Sequence, residues 1–479
     1  MEFQILSHAG LAVRAAGFEL LFDPWLIGST YWRSWWNYPP PPEDVIRALR
    51  PDAIYLTHIH WDHFQAVTLV RFDPSTPVFI PRSPGRRLRR DLEAIGFRDV
   101  RELRHAEEVE IAPGFSLHSW HFSPFLDSAP VVVADGVTLL NANDAKLMGA
   151  PLRQLLARHP HIDFVLRSHS SANSRLCFEV IGHPQQNVDD GMHYVRDFAS
   201  FARATGARWA VPFASNHCHL HEDVWHFNDQ ITTPLMVESY FREHAIDTPQ
   251  LQVMLPGDSW SSEHGFRLTQ SDYFSRRKER LEEYRATKVG ALTRQAELEA
   301  RAELDLPRIA DYFRRLSRAV PLPVRLLFRN QRICYVLRAG LSTHVLSVDL
   351  ARGAVELRRD FSDAENPIQI HTSLHVFQNC IESDLFSHLS ISKRVRYRVT
   401  PASLRHLQLW NLLFNLYEYE WFPLRNILRP RVWAAWLPRW REVGLYARIL
   451  VDLLRGRQFD LARYLPRPPE ADSIPALAP

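Results

Sequence analysis

Six residues limit what this chain can fold into more than any other stretch. They are His58-Ile59-His60-Trp61-Asp62-His63, placed directly after the apolar run Asp52-Ala-Ile-Tyr-Leu-Thr57. That run reads as a buried strand. Alternation along its end puts His58 and His60 on the same side. Asp62 and His63 then turn into a helix predicted to begin near Phe64 and reach a second point close by. Imidazole and carboxylate are ligands suited to zinc, iron or manganese, and two such metals about 3.5–4 Å apart can share a bridging oxygen. The competing reading is a histidine-rich loop that only hydrogen-bonds. Four ligand-type side chains packed this closely behind a buried strand speak against it.

The surrounding sequence alternates short strands with helices. FQIL, GLAVRA and FELLFD read as a meander turning at Gly17. PVFI, FSLHSWHF, APVVVA and GVTLLNAND read as further strands, the last two joined by Asp135-Gly136. PEDVIRAL, PLRQLLARH and the stretch from Val188 to Ala204 are predicted helices, and ARWAVPF is taken as the last strand of the region. This order predicts an α/β fold, a two-sheet αββα sandwich with helices outside, over residues 1–272. Residues 273–306 are charged and helical, as in a connector. Residues 307–400 suggest a small α+β unit whose element order resembles sterol-carrier-like lipid-binding modules. Residues 401–465 are helical and rich in aromatics, expected to pack against the first region, with membrane or partner contact as the alternative, and 466–479 are expected to lack order.

Composition narrows the functional classes. With 479 residues the chain should hold two to four domains. Its 46% hydrophobic residues provide a core that needs no metal to hold it together. A net charge of +3 is too small to suggest a nucleic-acid binder. The cysteines Cys177, Cys218, Cys334 and Cys380 form no CxxC pair, which argues against a disulfide framework and cysteine-only metal sites. No signal-peptide pattern opens the sequence, and no apolar run approaches the ~18 residues of a membrane span. A cytoplasmic protein is therefore expected.

HxHxDH behind a buried strand resembles the metallo-β-lactamase superfamily, and the likeness runs over residues 3–230. LLFDPWL resembles that superfamily's strand ending in Asp, which makes Asp23 a brace for the metal loop. The resemblance implies further ligands at later strand ends: a His before the bridging Asp, and a last His after the final strand. FSLHSWHF offers His118 and His121 on opposite faces, and His121, nearer the strand end, is preferred. Asp144, at the end of GVTLLNAND, is the expected bridging carboxylate; the alternative is a helix cap. The last ligand departs from the V-P-x-H pattern, because Val211-Pro212-Phe213 is followed by Ala214. His217 is the first substitute and His169 the second, with His219 and His221 nearby.

DPWLIGSTYWRSWWNYPPPP, DAIYLTHIHWDHF and WAVPFAS are similar to the metallo-β-lactamase-like region of the CMP-N-acetylneuraminate hydroxylase family. That likeness implies a non-haem diiron, O2-dependent monooxygenase acting on a small-molecule substrate, with Asp62 and Asp144 central to the chemistry. The expected cofactor is two iron ions, with zinc as the alternative. The Rieske cluster of that family needs Cys-x-His and Cys-x-x-His segments, and neither is present, so electrons are expected from an external electron-transfer protein. A dinuclear hydrolase of an ester, amide or phosphodiester is the alternative activity, and Ala214 raises a third reading, a metal-binding scaffold without activity. Arginines around Arg82 (RSPGRRLRR) suit either a nucleotide- or coenzyme-A-linked substrate or a solvated helix face. Trp25, Trp32, Trp35 and Trp36 suit either a substrate-pocket wall or packing at the domain edge.

Overall fold

The structure, a computed structural model, describes residues 1–123, 127–170, 175–182, 191–359, 366–455 and 460–467. Two sheets stack face to face. The first runs Gly265–Arg267, Ser259–Ser261, Glu2–Ile5, Leu11–Ala15, Phe18–Phe22, Ala53–Tyr55, Val78–Pro81, Val100–Leu103. The second runs Gln250–Leu251, Trp209–Pro212, Phe164–Arg167, Val137–Asn143, Asp127–Ala134, Phe115–Phe122, Glu107–Ala112. Two hairpins use the tight turns the sequence signals. Ala16-Gly17 and Asp135-Gly136 all have positive φ, the geometry that matches strand twist in a two-residue loop.

Alternation explains the layers. Phe3, Leu11, Val13, Leu20 and Phe22 meet Leu117, Val132, Leu139, Leu166 and Val211 between the sheets. Their neighbours point outward: Ile54, Val78 and Ile80 meet Leu88 and Leu92 of helix Arg87–Ala94. Leu140 and Val165 meet Leu152 of helix Gly149–Arg158 and Phe198 of helix Met192–Thr205. The αββα sandwich is therefore present, with helices on both outer faces.

The central strands are parallel within each sheet. Phe18–Phe22, Ala53–Tyr55 and Val78–Pro81 run together in the first, and Val137–Asn143, Phe164–Arg167 and Trp209–Pro212 in the second. Their carboxyl ends lie along one edge of the sandwich, where open α/β sheets place their ligands. Over that edge lies a ribbon of Ser29–Thr30, Trp35–Asn37 and His217–His219.

A six-stranded sheet follows in the C-terminal half, ordered Phe178–Val180, Val395–Val399, Ile368–Ser373, Ile333–Ala339, Ser342–Asp349, Ala354–Arg358. Helices Leu306–Ala319, Leu374–Ser383 and Leu404–Glu418 cover it through Phe313, Phe377, Trp410 and Phe414. Its edge strand Phe178–Val180 comes from the first half of the chain, so this sheet is not built from residues 307–400 alone.

Several local expectations need correction. Trp209–Pro212 is not the last strand of the first region, because short strands at Gln250–Leu251, Ser259–Ser261 and Gly265–Arg267 extend both sheets. Runs of two or three residues are too short to show alternation. The helix after the metal loop is a single turn, Ala66–Leu69. The aromatic segment divides its packing. Trp410 and Phe414 sit in the C-terminal core, whereas Leu445, Tyr446 and Ile449 pack on the sandwich. Of the tail expected to lack order, residues from 468 onward lie outside the described residues. Among the described residues, no helix is long and apolar enough to cross a membrane.

Candidate metal centre

The strand ends deliver the site. Tyr55 ends its strand two residues before Thr57, and His58 begins the loop. Asp23, just past Phe22 on the neighbouring strand, accepts hydrogen bonds from Thr57 N at 2.8 Å and Thr57 Oγ1 at 2.7 Å. Its Oδ2 also lies 2.8 Å from His63 Nδ1, which leaves His63 Nε2 facing the centre. This is the brace expected of a ligand histidine, in which one ring nitrogen is fixed by a carboxylate and the other is free to coordinate.

Two groups of metal-capable donors meet at His63. In one, His58, His63 and Asp144 offer atoms within 4.8 Å of one another; in the other, His8, Asp62 and His63 do. Asp144 Oδ2 is 3.4 Å, and Asp62 Oδ2 3.6 Å, from His63 Nε2. His8 Nε2 stands 3.2 Å from Asp62 Oδ2. Tyr31 donates its hydroxyl to Asp62 Oδ1 at 2.5 Å. It sits in a run of three left-handed residues, Tyr31, Trp32 and Arg33 (φ 52°, 55°, 63°), an expensive conformation for bulky side chains that is typical of functional loops. The rings of His58 and His60 are 4.5 Å apart, and those of His58 and His63 4.0 Å.

The electrostatics fit a cation. Burial, then the neighbouring imidazoles His63 and His60, hold His58 well below the ordinary histidine range, so it is neutral and able to ligate. Burial pushes the Asp62 carboxyl up, but His63 and His8 more than offset it, and Asp62 stays ionised. Burial lowers His63, but Asp62 and Asp23 outweigh it and raise it well above the usual range. Burial and the charge of Asp144 push Asp127, beside the cluster, up to about 7. The Nε2 atoms of His58 and His63 are buried and have no hydrogen-bond partner. Such atoms cost about 1–3 kcal/mol each unless satisfied. Buried, mutually facing imidazole and carboxylate donors thus fit divalent metal ions.

The sequence candidates fall into three sets. His58, Asp62, His63 and Asp144 are gathered in the two groups, with His60 beside His58. His217 and His169 flank them. The His217 ring is 5.4 Å from that of His8 and stacks on Trp35 at 3.7 Å, while its Nδ1 lies 3.0 Å from the Ser215 carbonyl and its Nε2 is unpartnered. His169 is buried with both ring nitrogens unpartnered, and burial and His8 lower its pKa to about 3. His121 stands apart: its Nε2 meets Ser119 Oγ at 3.0 Å, on the inner face of its strand, and its ring lies near His105. His118 points to the opposite face, against His159.

His8 and Tyr31 are the site residues that sequence reading passed over. His8 follows strand Glu2–Ile5, which runs in the same sense as Phe18–Phe22, so its end reaches the same edge. A histidine just past an apolar strand was the available signal. Of the tryptophans, Trp25 and Trp35 line the site beside His8, Trp32 packs on Trp61, and Trp36 packs away from it with Leu220 and Leu281. The arginines after Arg82 are largely committed within the fold: Arg87 pairs with Asp91, Arg89 with Glu93 and Arg90 with Glu420.

No protein-family model matches the chain. A protein of Mycobacterium tuberculosis named as a Rieske 2Fe-2S iron-sulfur protein is 27% identical over 283 residues, covering 54% of this chain and 53% of that protein. The cytidine monophosphate-N-acetylneuraminic acid hydroxylase of Xenopus laevis is 35% identical over 87 residues, 17% of this chain and 15% of the hydroxylase. The chain thus spans about half the length, or less, of the curated relatives it matches. Among solved structures, an isothiocyanate hydrolase from Delia radicum gut bacteria covers 55% of this chain and 99% of its own at 18% identity, with a TM-score of 0.42. CmlA, a diiron β-hydroxylase from Streptomyces venezuelae, covers 44% of each chain at 17% identity, with a TM-score of 0.31. In its two-sheet sandwich and its HxHxDH loop the chain is similar to the metallo-β-lactamase superfamily, and over part of its sequence to CMP-N-acetylneuraminic acid hydroxylase.

Proposed function

We propose that this protein is a non-haem diiron monooxygenase that hydroxylates a small molecule. The observation that carries the reading is the meeting of two donor groups at His63, one with buried His58 and half-buried Asp144, the other with buried His8 and Asp62. His58, His60, His63 and Asp144 would hold one iron, and His8 and Asp62 would hold the second, with His217 and His169 available beside it. When bound, the iron pair supplies O2 activation and the oxidising power for C–H attack. The chain's own residues do the rest. Asp23 and Thr57 fix the orientation of His63, and Tyr31 fixes Asp62. Trp25, Trp35 and Trp61 surround the centre with apolar surface, which excludes water and favours an apolar substrate segment.

The 35% identity to the sialic-acid hydroxylase supports oxygenase chemistry over hydrolysis, although it spans only 87 residues. Electrons would come from a Rieske-type or other redox centre outside these residues, since the four cysteines are free, buried and scattered. The decisive experiment uses iron-loaded protein under 18O2 with a chemical reductant, against a panel of small-molecule substrates. Label from O2 in a hydroxylated product supports the proposal. Efficient ester or phosphodiester hydrolysis by zinc-loaded protein under argon, with label entering from water, makes it a hydrolase instead.

A further inference from the structure

The C-terminal half of the chain sends one side chain into the metal centre. His388 lies on the short helix Ser387–Ile391 and is fully buried, and neither of its ring nitrogens has a hydrogen-bond partner. Its ring centroid is 5.7 Å from that of His60, 4.5 Å from Trp61 and 5.4 Å from Tyr31. Two of these neighbours belong to the metal loop, and the third holds Asp62. An imidazole with both nitrogens buried against aromatic faces is a costly choice where a phenylalanine or leucine would pack. It is explained if one nitrogen meets a cation.

Three bonds from residues that flank this helix or lie on the preceding one hold the C-terminal unit against the sandwich. Ser34 Oγ donates to the Ser392 carbonyl at 2.5 Å, Arg394 Nη1 to the Trp32 carbonyl at 2.9 Å, and Trp32 Nε1 to Asn379 Oδ1 at 3.0 Å. All three tie the C-terminal unit to the Tyr31–Ser34 loop, so His388 is positioned by the same loop that positions Asp62. His60 and His388 both stand outside the two three-residue donor groups at His63, and the His60 ring adjoins His58 on one side and His388 on the other. We propose that His388 is a further ligand of the metal centre, supplied by the C-terminal unit on the His60 side. This rests on reading the His58–His63 cluster as a metal centre. It also gives the C-terminal unit a role: the sandwich alone would present an incomplete centre.

The test is titration of the metal-free, full-length protein with Co(II), read by visible ligand-field absorption and by affinity. Wild type should bind two cobalt ions per chain. His388→Ala should lose tenfold or more in affinity for one of them, with a changed spectrum that added imidazole restores. If the alanine variant does not fold, His388→Phe, which keeps the aromatic packing, is read the same way. A folded variant with wild-type affinity and spectrum overturns the ligand role. Failure of wild type to bind cobalt overturns the metal-centre reading itself.

Discussion

Each side chain around His63 has a separable task. His58→Ala with His60→Ala should abolish one metal and all activity while far-UV circular dichroism stays native, because the sandwich core is filled without the site. Two metals per chain in that variant would contradict the assignment. Asp144→Asn should lower occupancy at both positions if Asp144 bridges. As a mere turn residue it should spare the metals and cost well under about 1 kcal/mol, so metal stoichiometry and melting on one sample separate the cases. Asp23→Asn should weaken metal binding by about 10–100-fold, the usual effect of losing the carboxylate behind a ligand histidine; isothermal titration checks it. Legibility followed local signals. His58, His60, Asp62 and His63 form one contiguous motif behind a strand, and Asp144 ends a clear alternating run. His8 and Tyr31 were harder to read because each reaches the site alone: His8 as a single histidine past a strand, and Tyr31 from a segment marked by tryptophans rather than by ligand-type side chains. Tyr31 does so through a left-handed turn that the sequence, lacking glycine there, does not announce.

At the scale of elements, two buried carboxylates anchor the C-terminal unit. Glu418 ends helix Leu404–Glu418 and accepts the backbone N–H groups of Phe386 and Ser387, at the start of the helix bearing His388. Burial pushes its pKa up to about 8. Unfolded, it would titrate near 4.3. Between those values the folded protein holds a proton that the unfolded chain has released. This contribution is therefore complete below about pH 4.3 and fades as pH rises through about 8, at up to ~1.4 kcal/mol per pH unit. Denaturant midpoints from pH 5 to 9 should show that decline, and Glu418→Gln should flatten it. Glu299, on helix Val289–Ala300, has the opposite sign. Burial raises it, but Arg394, at 2.8 Å, more than compensates and holds it below the ordinary carboxylate range. Its contribution is present above about pH 4.3 and lost as pH falls through the lower folded value. Arg394→Ala strands the buried Glu299 and should cost about 3–5 kcal/mol, measured by urea unfolding. The longer strands, such as Phe115–Phe122, Asp127–Ala134 and Val137–Asn143, and the amphipathic helices were legible from their periods. The edge strands of two or three residues, and the strand Phe178–Val180 lent to the six-stranded C-terminal sheet, were not, because their partners are chosen by tertiary packing.

Over the whole molecule, the sandwich brings the carboxyl ends of its parallel strands to one edge, a ribbon of Trp35–Asn37 and His217–His219 covers it, and the C-terminal unit closes against it through Trp32, Ser34 and His388. The αββα class followed from the order of strands and helices. The closure did not, because contacts such as Ser34 with Ser392 join residues far apart in sequence, and no local pattern encodes them. The central claim is that this edge holds a diiron centre. Metal analysis with Mössbauer spectroscopy on protein purified anaerobically from iron-replete cells tests it most directly. The expected result is about two iron ions per chain, coupled as a pair once oxidised by O2, with a near-ultraviolet absorption band. Two zinc ions per chain, with no iron taken up and no reaction with O2 after reduction, would contradict it.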